Sequence, residues 1–319
     1  MRLLVCFIFA LVTSAIAARA ETIRLAIQKT GTVAWELAVI RAHGLDKQAG
    51  LDIAALELAS PEAGKIALRA GSVDIIVSDW LWVSRERTLG AKLVFYPYSS
   101  ALGAVMVPAG SALKSLADLK GRSLAVAGGP LDKSWLLLQG ALKQEGIDLK
   151  TQAIINYGAP ALLAEKAARG EFDATLNYWN FSAALEARGM RRLAGMDAVL
   201  PKLGITGRPA MIGYAFDETW AAKNRSTIER FLDVARRAKE ILANSDAEWQ
   251  RIAPLIGTSE PATLAVYRDR YREGIPRRST ADEEADARAL YHVLARLGGA
   301  ELVGPATGLA PGTFYRVGE

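Results

Sequence analysis

Lysine, serine and carboxylate side chains gather beside two glycines in one short stretch, residues 121–135, which reads GRSLAVAGGPLDKSW. An apolar run, a glycine turn and Lys133-Ser134 ahead of a helical pattern raise the chemistry of phosphate binding, in which backbone N–H groups and a lysine hold a nucleotide. That chemistry needs G-x-x-x-x-G-K-[ST], and Ala127 and Asp132 stand where the two glycines belong. A carboxylate directly ahead of the lysine would also repel a phosphate. The dinucleotide pattern G-x-G-x-x-G is absent as well. What remains is a glycine turn that brings N–H groups and a helix N-terminus to the mouth of a cleft, where they suit an acceptor or anionic group. The plainer reading is a tight strand-to-helix turn with Pro130 in the first helical turn.

Reactive groups are otherwise sparse. The two histidines, His43 and His292, belong to no H-E-x-x-H or other paired metal pattern. His43, just ahead of a glycine, reads as a helix C-terminal residue beside the negative dipole end, and His292 falls in a C-terminal amphipathic helix. There is no G-x-S-x-G nucleophile elbow and no calcium-loop spacing. Glu283-Glu284 reads as a solvated helix face. Asp79, Asp132 and Lys133 are the one set that could serve as acid and base. The site is expected to bind rather than react, with no catalytic residues, no metal and no cofactor.

Four segments position these groups with one repeated grammar, a short apolar strand that ends in a polar turn and opens a helix. They are TIRLAIQKTGTVAWELAVIRAHGL, VDIIVSDWLWVSRER, RSLAVAGGPLDKSWLLLQGALKQEG and FDATLNYWNFSAALEARG. In a parallel sheet such junctions share the carboxyl edge, where open α/β folds bind ligands. Five of the seven tryptophans, Trp35, Trp80, Trp82, Trp135 and Trp179, sit at or within about a turn of them. Each could merely plug a strand end, but their concentration points to a shared aromatic cleft.

Arg2, the apolar run to Ala17 and the small-residue site at Ala18 to Ala20 read as a cleavable secretory signal, residues 1–20. The single cysteine, Cys6, lies inside it, so the exported chain is expected to reach an oxidising compartment without disulfides and to rely on a buried core. A Gram-negative periplasm fits that combination. Removing Arg2 and Arg19 from the 39 basic residues leaves 37 against 34 acidic ones, a net of +3 without blocks of arginine, so no nucleic-acid footprint is present. The length suits about two domains.

The junctions fall into two pairs, one before and one after ALGAVMVPAGSALKSLADLKGRSLAV, and the apolar run Met211 to Phe216 would carry the chain back. The expected organisation is one lobe of residues 21–104 plus 212–319 and a second of 105–211, with hinges at Val105 to Pro108 and Ile212 to Ala215. The order of IRLAIQKTG, GLDKQAGLDIAALELASPEAGKIALRAGSVDIIVS, SLADLKGRSLAVAGG, LLAEKAARGEFDATLNYW and FDETWAAKNRSTIERFLDVARRAKEILANSDAEW resembles the periplasmic substrate-binding proteins of ABC importers. The similar group is the one for nitrate, sulfonate and taurine that also contains pyrimidine-precursor binders. The resemblance implies an α/β, two-lobed periplasmic-binding-protein fold of type II, each lobe a mostly parallel sheet flanked by helices. It implies a monomeric receptor that closes on a small solute and delivers it to a permease and its ATPase.

It further implies a ligand site on the loops after the strands, here Gln28, Thr30, Trp35, Ser78, Asp79, Trp80, Gly129, Asp132, Lys133, Ser134, Asn177, Tyr178 and Trp179. Asp79 and Asp132 depart from a plain anion site, because an isolated carboxylate facing an anion is costly. Indole faces suit a flat nitrogenous heteroaromatic ring or a cation, so a sulfonate and such a ring are both expected ligands. A weaker similarity of VSDWLWVSRER and AGGPLDKSWLLLQ to a methylotroph branch implies uptake of a lanthanide chelate as an alternative. An enzyme on the same clamp, using Asp79, Asp132 and Lys133, is the other.

Overall fold

The computed structural model describes residues 20–28 and 31–318. The signal segment through Arg19, with Cys6, and the candidate Thr30 lie outside the described residues. The chain opens with β1 (Glu21–Gln28), α1 (Val33–Ala42), α2 (Leu45–Gln48), β2 (Leu51–Leu58), α3 (Pro61–Arg69), β3 (Ile75–Asp79), α4 (Trp80–Thr88) and β4 (Leu93–Ser99). It continues through β5 (Ala104–Val107), β6 (Ser123–Ala127), α5 (Lys133–Gln144), α6 (Leu149–Gln152), β7 (Ile154–Gly158), α7 (Pro160–Ala168), β8 (Ala174–Asn177), α8 (Trp179–Ala187) and β9 (Arg191–Gly195). Then follow β10 (Ile212–Asp217), α9 (Glu218–Lys223), α10 (Arg225–Asn244), α11 (Asp246–Ile256), α12 (Pro261–Glu273) and α13 (Thr280–Val303).

Two five-stranded sheets result, in the orders β2-β1-β3-β10-β4 and β7-β6-β8-β5-β9. Each has parallel strands at one side and one antiparallel strand, β10 or β5, in the fourth place. Both sheets are flanked by helices, which gives an α/β protein of two lobes. The same order in both places β1 and β3 of one lobe, and β6 and β8 of the other, side by side, so the four expected junctions do lie at the carboxyl edges of adjacent strands. β5 and β8 are buried along their whole length, as strands covered on both faces should be.

The chain passes between the sheets at residues 100–103 and again over 196–211. Val105 and Tyr214, expected in hinges, are instead hydrogen-bonded strand residues with a neighbour on each side. Such pairing removes the φ/ψ freedom a hinge needs. Gly103 in the first crossing cannot carry a side chain, because a Cβ would sit 2.1 Å from the Asn177 carbonyl oxygen.

The C-terminal helices tie the lobes from behind. Arg270 of α12 donates to both carboxylate oxygens of Glu186 in α8, at 2.9 and 2.6 Å, and α13 packs on α4 and α5. Glu283 and Glu284 are buried rather than solvated: Glu283 Oε2 accepts the Ala210 N–H at 2.7 Å beside the second crossing, and Glu284 pairs with Arg288 and Arg316. Burial is tolerated because each carboxylate is hydrogen-bonded.

Candidate functional site

Three of the helices that follow a strand begin on an aspartate three residues ahead of a tryptophan. Asp79, Asp132 and Asp217 accept the N–H groups of Trp82, Trp135 and Trp220 at 2.9, 3.1 and 2.8 Å, an N-cap worth about 1 kcal/mol each. The first duty of Asp79 and Asp132 is therefore to start α4 and α5. This fixes their carboxylates and leaves one oxygen of each free to turn elsewhere.

At the first junction Gly31 donates to the Gln28 carbonyl at 2.8 Å, and Thr32 caps α1 by position only. Its hydroxyl instead shares a 3.2 Å hydrogen bond with Tyr98 OH. At the third, Gly128 takes φ +85°, which glycine adopts without strain, and Asp132 N–H closes the turn on the Gly129 carbonyl at 2.9 Å. α5 starts only at Lys133, so Pro130 precedes the helix instead of sitting in its first turn. At the fourth, α8 opens on Tyr178 without a side-chain cap.

These ends surround a cavity of about 370 Å³ between the lobes. Of the expected ligand residues, Gln28, Ser78, Asp79, Asp132, Lys133, Ser134, Tyr178 and Trp179 line it. Trp35, Trp80, Gly129 and Asn177 do not. Trp80 is fully buried in the core cluster that runs through both lobes. Trp35 lies behind the wall, its ring edge-on to Trp179 of the other lobe at 6.0 Å. Asn177 is spent on structure, donating to the Pro160 carbonyl at 2.9 Å and accepting the Tyr178 N–H at 2.8 Å.

The wall also holds residues the sequence did not point to. Pro61, Glu62 and Lys65 arrive from the start of α3, a fifth junction whose Ser60-Pro61 cap was a legible signal. Tyr98, Leu102 and Met211 come from β4 and the two crossings, and no local pattern marks them. Three larger hollows, about 730 Å³ beside α2 and α10, about 450 Å³ behind β4 and β10 and about 500 Å³ beside α9 and Phe314, lie away from the strand-end junctions. Among their arginines, Arg230, Arg236 and Arg278 are already bound to Glu21, Asp233, Glu240 and Asp286.

Charge in the cavity is paired across the lobes. Lys133 Nζ donates to Asp79 Oδ2 at 3.0 Å. Burial works against the Asp79 charge, but Lys133, the Trp82 N–H and Lys65 more than offset it and hold its pKa below the usual value. Burial likewise opposes the Lys133 charge, and Asp79 with Asp132 outweighs it and raises its pKa. Burial pushes Asp132 up despite its Trp135 N–H and Lys133, and burial plus Asp132, to which its hydroxyl is bonded, pushes the Tyr178 phenol up. Ser78 Oγ is buried in the wall without a hydrogen-bond partner among the described residues.

An apolar cavity with a few fixed polar groups, set between two lobes, is built to enclose a small molecule. The amino-acid sequence matches the NMT1/THI5-like family over residues 36–248, more than half of the chain. No curated protein matches it significantly. Among solved structures it is similar to the periplasmic aliphatic sulphonate binding protein SsuA of Escherichia coli, with 22% identity, coverage of 93% of this chain and 92% of that one, and a TM-score of 0.72. The alkanesulfonate-binding protein SsuA of Xanthomonas axonopodis pv. citri, bound to MOPS, gives 22%, 94%, 100% and 0.70. A DszB mutant in complex with biphenyl-2-sulfinic acid shares the fold more distantly, at 14%, 88%, 93% and 0.58.

Proposed function

Because the chain belongs to the NMT1/THI5-like family, we propose that it is the solute-binding receptor of an ABC-type importer, capturing a small molecule between its lobes and delivering it to a membrane permease. The observation that carries this reading is the cavity itself, with groups from both lobes converging on about 370 Å³. The periplasm is the proposed location, in keeping with the signal segment and with the periplasmic source of the Escherichia coli structure it resembles.

The ligand is proposed to be a sulfonate or a nitrogenous heteroaromatic. The α1 and α8 N-termini reach the cavity without side-chain caps and offer N–H groups to an oxyanion or a ring acceptor. Trp179, Tyr98 and Tyr178 offer faces to a flat ring. The geometry favours binding over catalysis, since Asp79 and Lys133 pull each other's pKa away from neutrality and neither is poised to move a proton near pH 7. Nor do the carboxylates converge on one point as metal ligands would: Asp79 is turned to Lys133 and Asp132 to Tyr178.

A thermal-shift screen of the exported form against sulfonates, nitrate, bicarbonate, aminopyrimidines and lanthanide chelates tests the reading. A ligand at a hundred times its Kd adds about 2.7 kcal/mol to the native state. The expected result is one class of hits, each recovered chemically unchanged. Turnover of a hit, or a well-folded protein silent across the panel, would overturn it.

A further inference from the structure

The position of the Lys133 ammonium is a cation site built from both lobes. Asp79 of the first lobe accepts its proton at 3.0 Å, and Asp132 of the second and Glu62 of α3 add their negative charge. Among the described residues, both cavity cations are already spoken for, Lys133 by Asp79 and Lys65 by Glu62 at 3.9 Å, and no arginine lines the wall. Three carboxylates thus face two ammonium groups. Among the described residues, an anion entering the cavity meets no uncompensated cationic side chain.

The two partners of the pair differ in how firmly they are held. Asp79 ends β3, is paired in register with Ile212, and has Oδ1 committed to the Trp82 N–H, so Oδ2 has a fixed direction. Lys133 carries a flexible four-carbon stem, and its side chain is 30% exposed against 12% for Asp79. If one partner gives way, it is the lysine, which can swing into water at small cost. In the same wall Ser78 Oγ, in a residue only 7% exposed, has no partner of its own among the described residues and can accept a further N–H. The indole of Trp179 in the same wall suits a cation too.

Resting on the receptor reading, we propose that Asp79 sets the charge selectivity of the cavity: Lys133 holds the place of a cationic nitrogen group on the solute, and binding exchanges one for the other. A solute ammonium or amidinium then bonds Asp79 of the first lobe as Lys133 does here, with the negative charge of Asp132 in the second lobe nearby. Of the two proposed ligand classes this selects the nitrogenous one, and solutes whose only polar group is an anion, a plain sulfonate included, are disfavoured.

Titration calorimetry with benzamidinium, benzamide and benzenesulfonate, a matched set differing in charge, tests this on the wild type, Asp79→Asn and Lys133→Met. The wild type is expected to bind benzamidinium at least tenfold more tightly than the other two. Asp79→Asn should lose at least tenfold for benzamidinium and none for benzenesulfonate, while Lys133→Met, which removes the internal competitor, should tighten benzamidinium. Lys133→Gln, with a shorter neutral stem, should do the same if Met disturbs the fold. Preference for benzenesulfonate refutes the inference and leaves a receptor standing. Unchanged benzamidinium affinity in Asp79→Asn refutes it too. Failure of all three probes also refutes it, and the receptor reading then rests on the wider screen.

Discussion

Removing the Lys239 ammonium by Lys239→Met should be among the most damaging single changes in this protein. Lys239 donates to Glu36 Oε1 in the first lobe, where Glu36 is 1% exposed. Tyr271 OH donates to the same oxygen, the ammonium lies 3.5 Å from the centroid of the Tyr98 ring, and Glu36 Oε2 has no hydrogen-bond partner among the described residues. Methionine fills the lysine stem, so little volume is lost. What is lost is the one counter-charge of a carboxylate that cannot reach water. Orphaning one member of such a pair costs about 3–5 kcal/mol, or roughly 8 °C in Tm at ~2 °C per kcal/mol for a large domain. Glu36→Gln/Lys239→Met, which removes both charges and keeps an acceptor for Tyr271, should recover more than half of that loss. Urea unfolding followed by tryptophan fluorescence, with the slope m unchanged, measures both. A cost below about 1 kcal/mol for the single change, or a double variant no better than the single, would show that the pair is hydrated and that its burial is not what matters.

Other consequences are equally open to measurement. Trp179→Ala should weaken solute binding by more than about 1 kcal/mol in calorimetry while costing less stability than the loss of a core tryptophan such as Trp80; a collapse of Tm with unchanged affinity would make Trp179 a structural plug. Gly103→Ala, whose Cβ would meet the Asn177 carbonyl oxygen at 2.1 Å, should lower the urea midpoint clearly, whereas Gly129→Ala, with nothing within 4 Å, should leave both stability and affinity unchanged. Equal effects at the two glycines would contradict the geometry. The Asp79 pKa is depressed, so its contribution is full above about pH 4 and lost as pH falls through the folded value. The Lys133 pKa is raised, so its contribution is full below about pH 10 and lost as pH rises through the folded value. From this pair alone solute affinity is expected to be flat from about pH 5 to 9, and an inflection near neutrality would mean that another cavity group, such as Asp132 with its raised pKa, governs binding.

Fold class and the edge that carries the site were legible along the chain, because strand period, helix caps and turn glycines are local properties. The runs before Gln28, Asp79, Gly128 and Tyr178 are strands, and a helix follows each. Two lobes followed from the pairing of junctions. Which residues face the cavity did not follow, because a junction residue has several directions open to it and only the packing of the far lobe chooses. Trp80 and Trp179 occupy comparable places at the start of a helix, yet one is sealed in the core and the other lines the wall. The crossings were misplaced onto Val105 and Ile212 because an apolar run reads alike whether it connects sheets or pairs within one, and hydrogen bonding to distant strands decides between them. Asp79 and Lys133 were visible as charges 54 residues apart; that they neutralise each other is a fact of tertiary packing. So too with Glu36 and Lys239, 203 residues apart. Charge is written in the chain, but its cost and its partner depend on burial, which long-range packing alone provides.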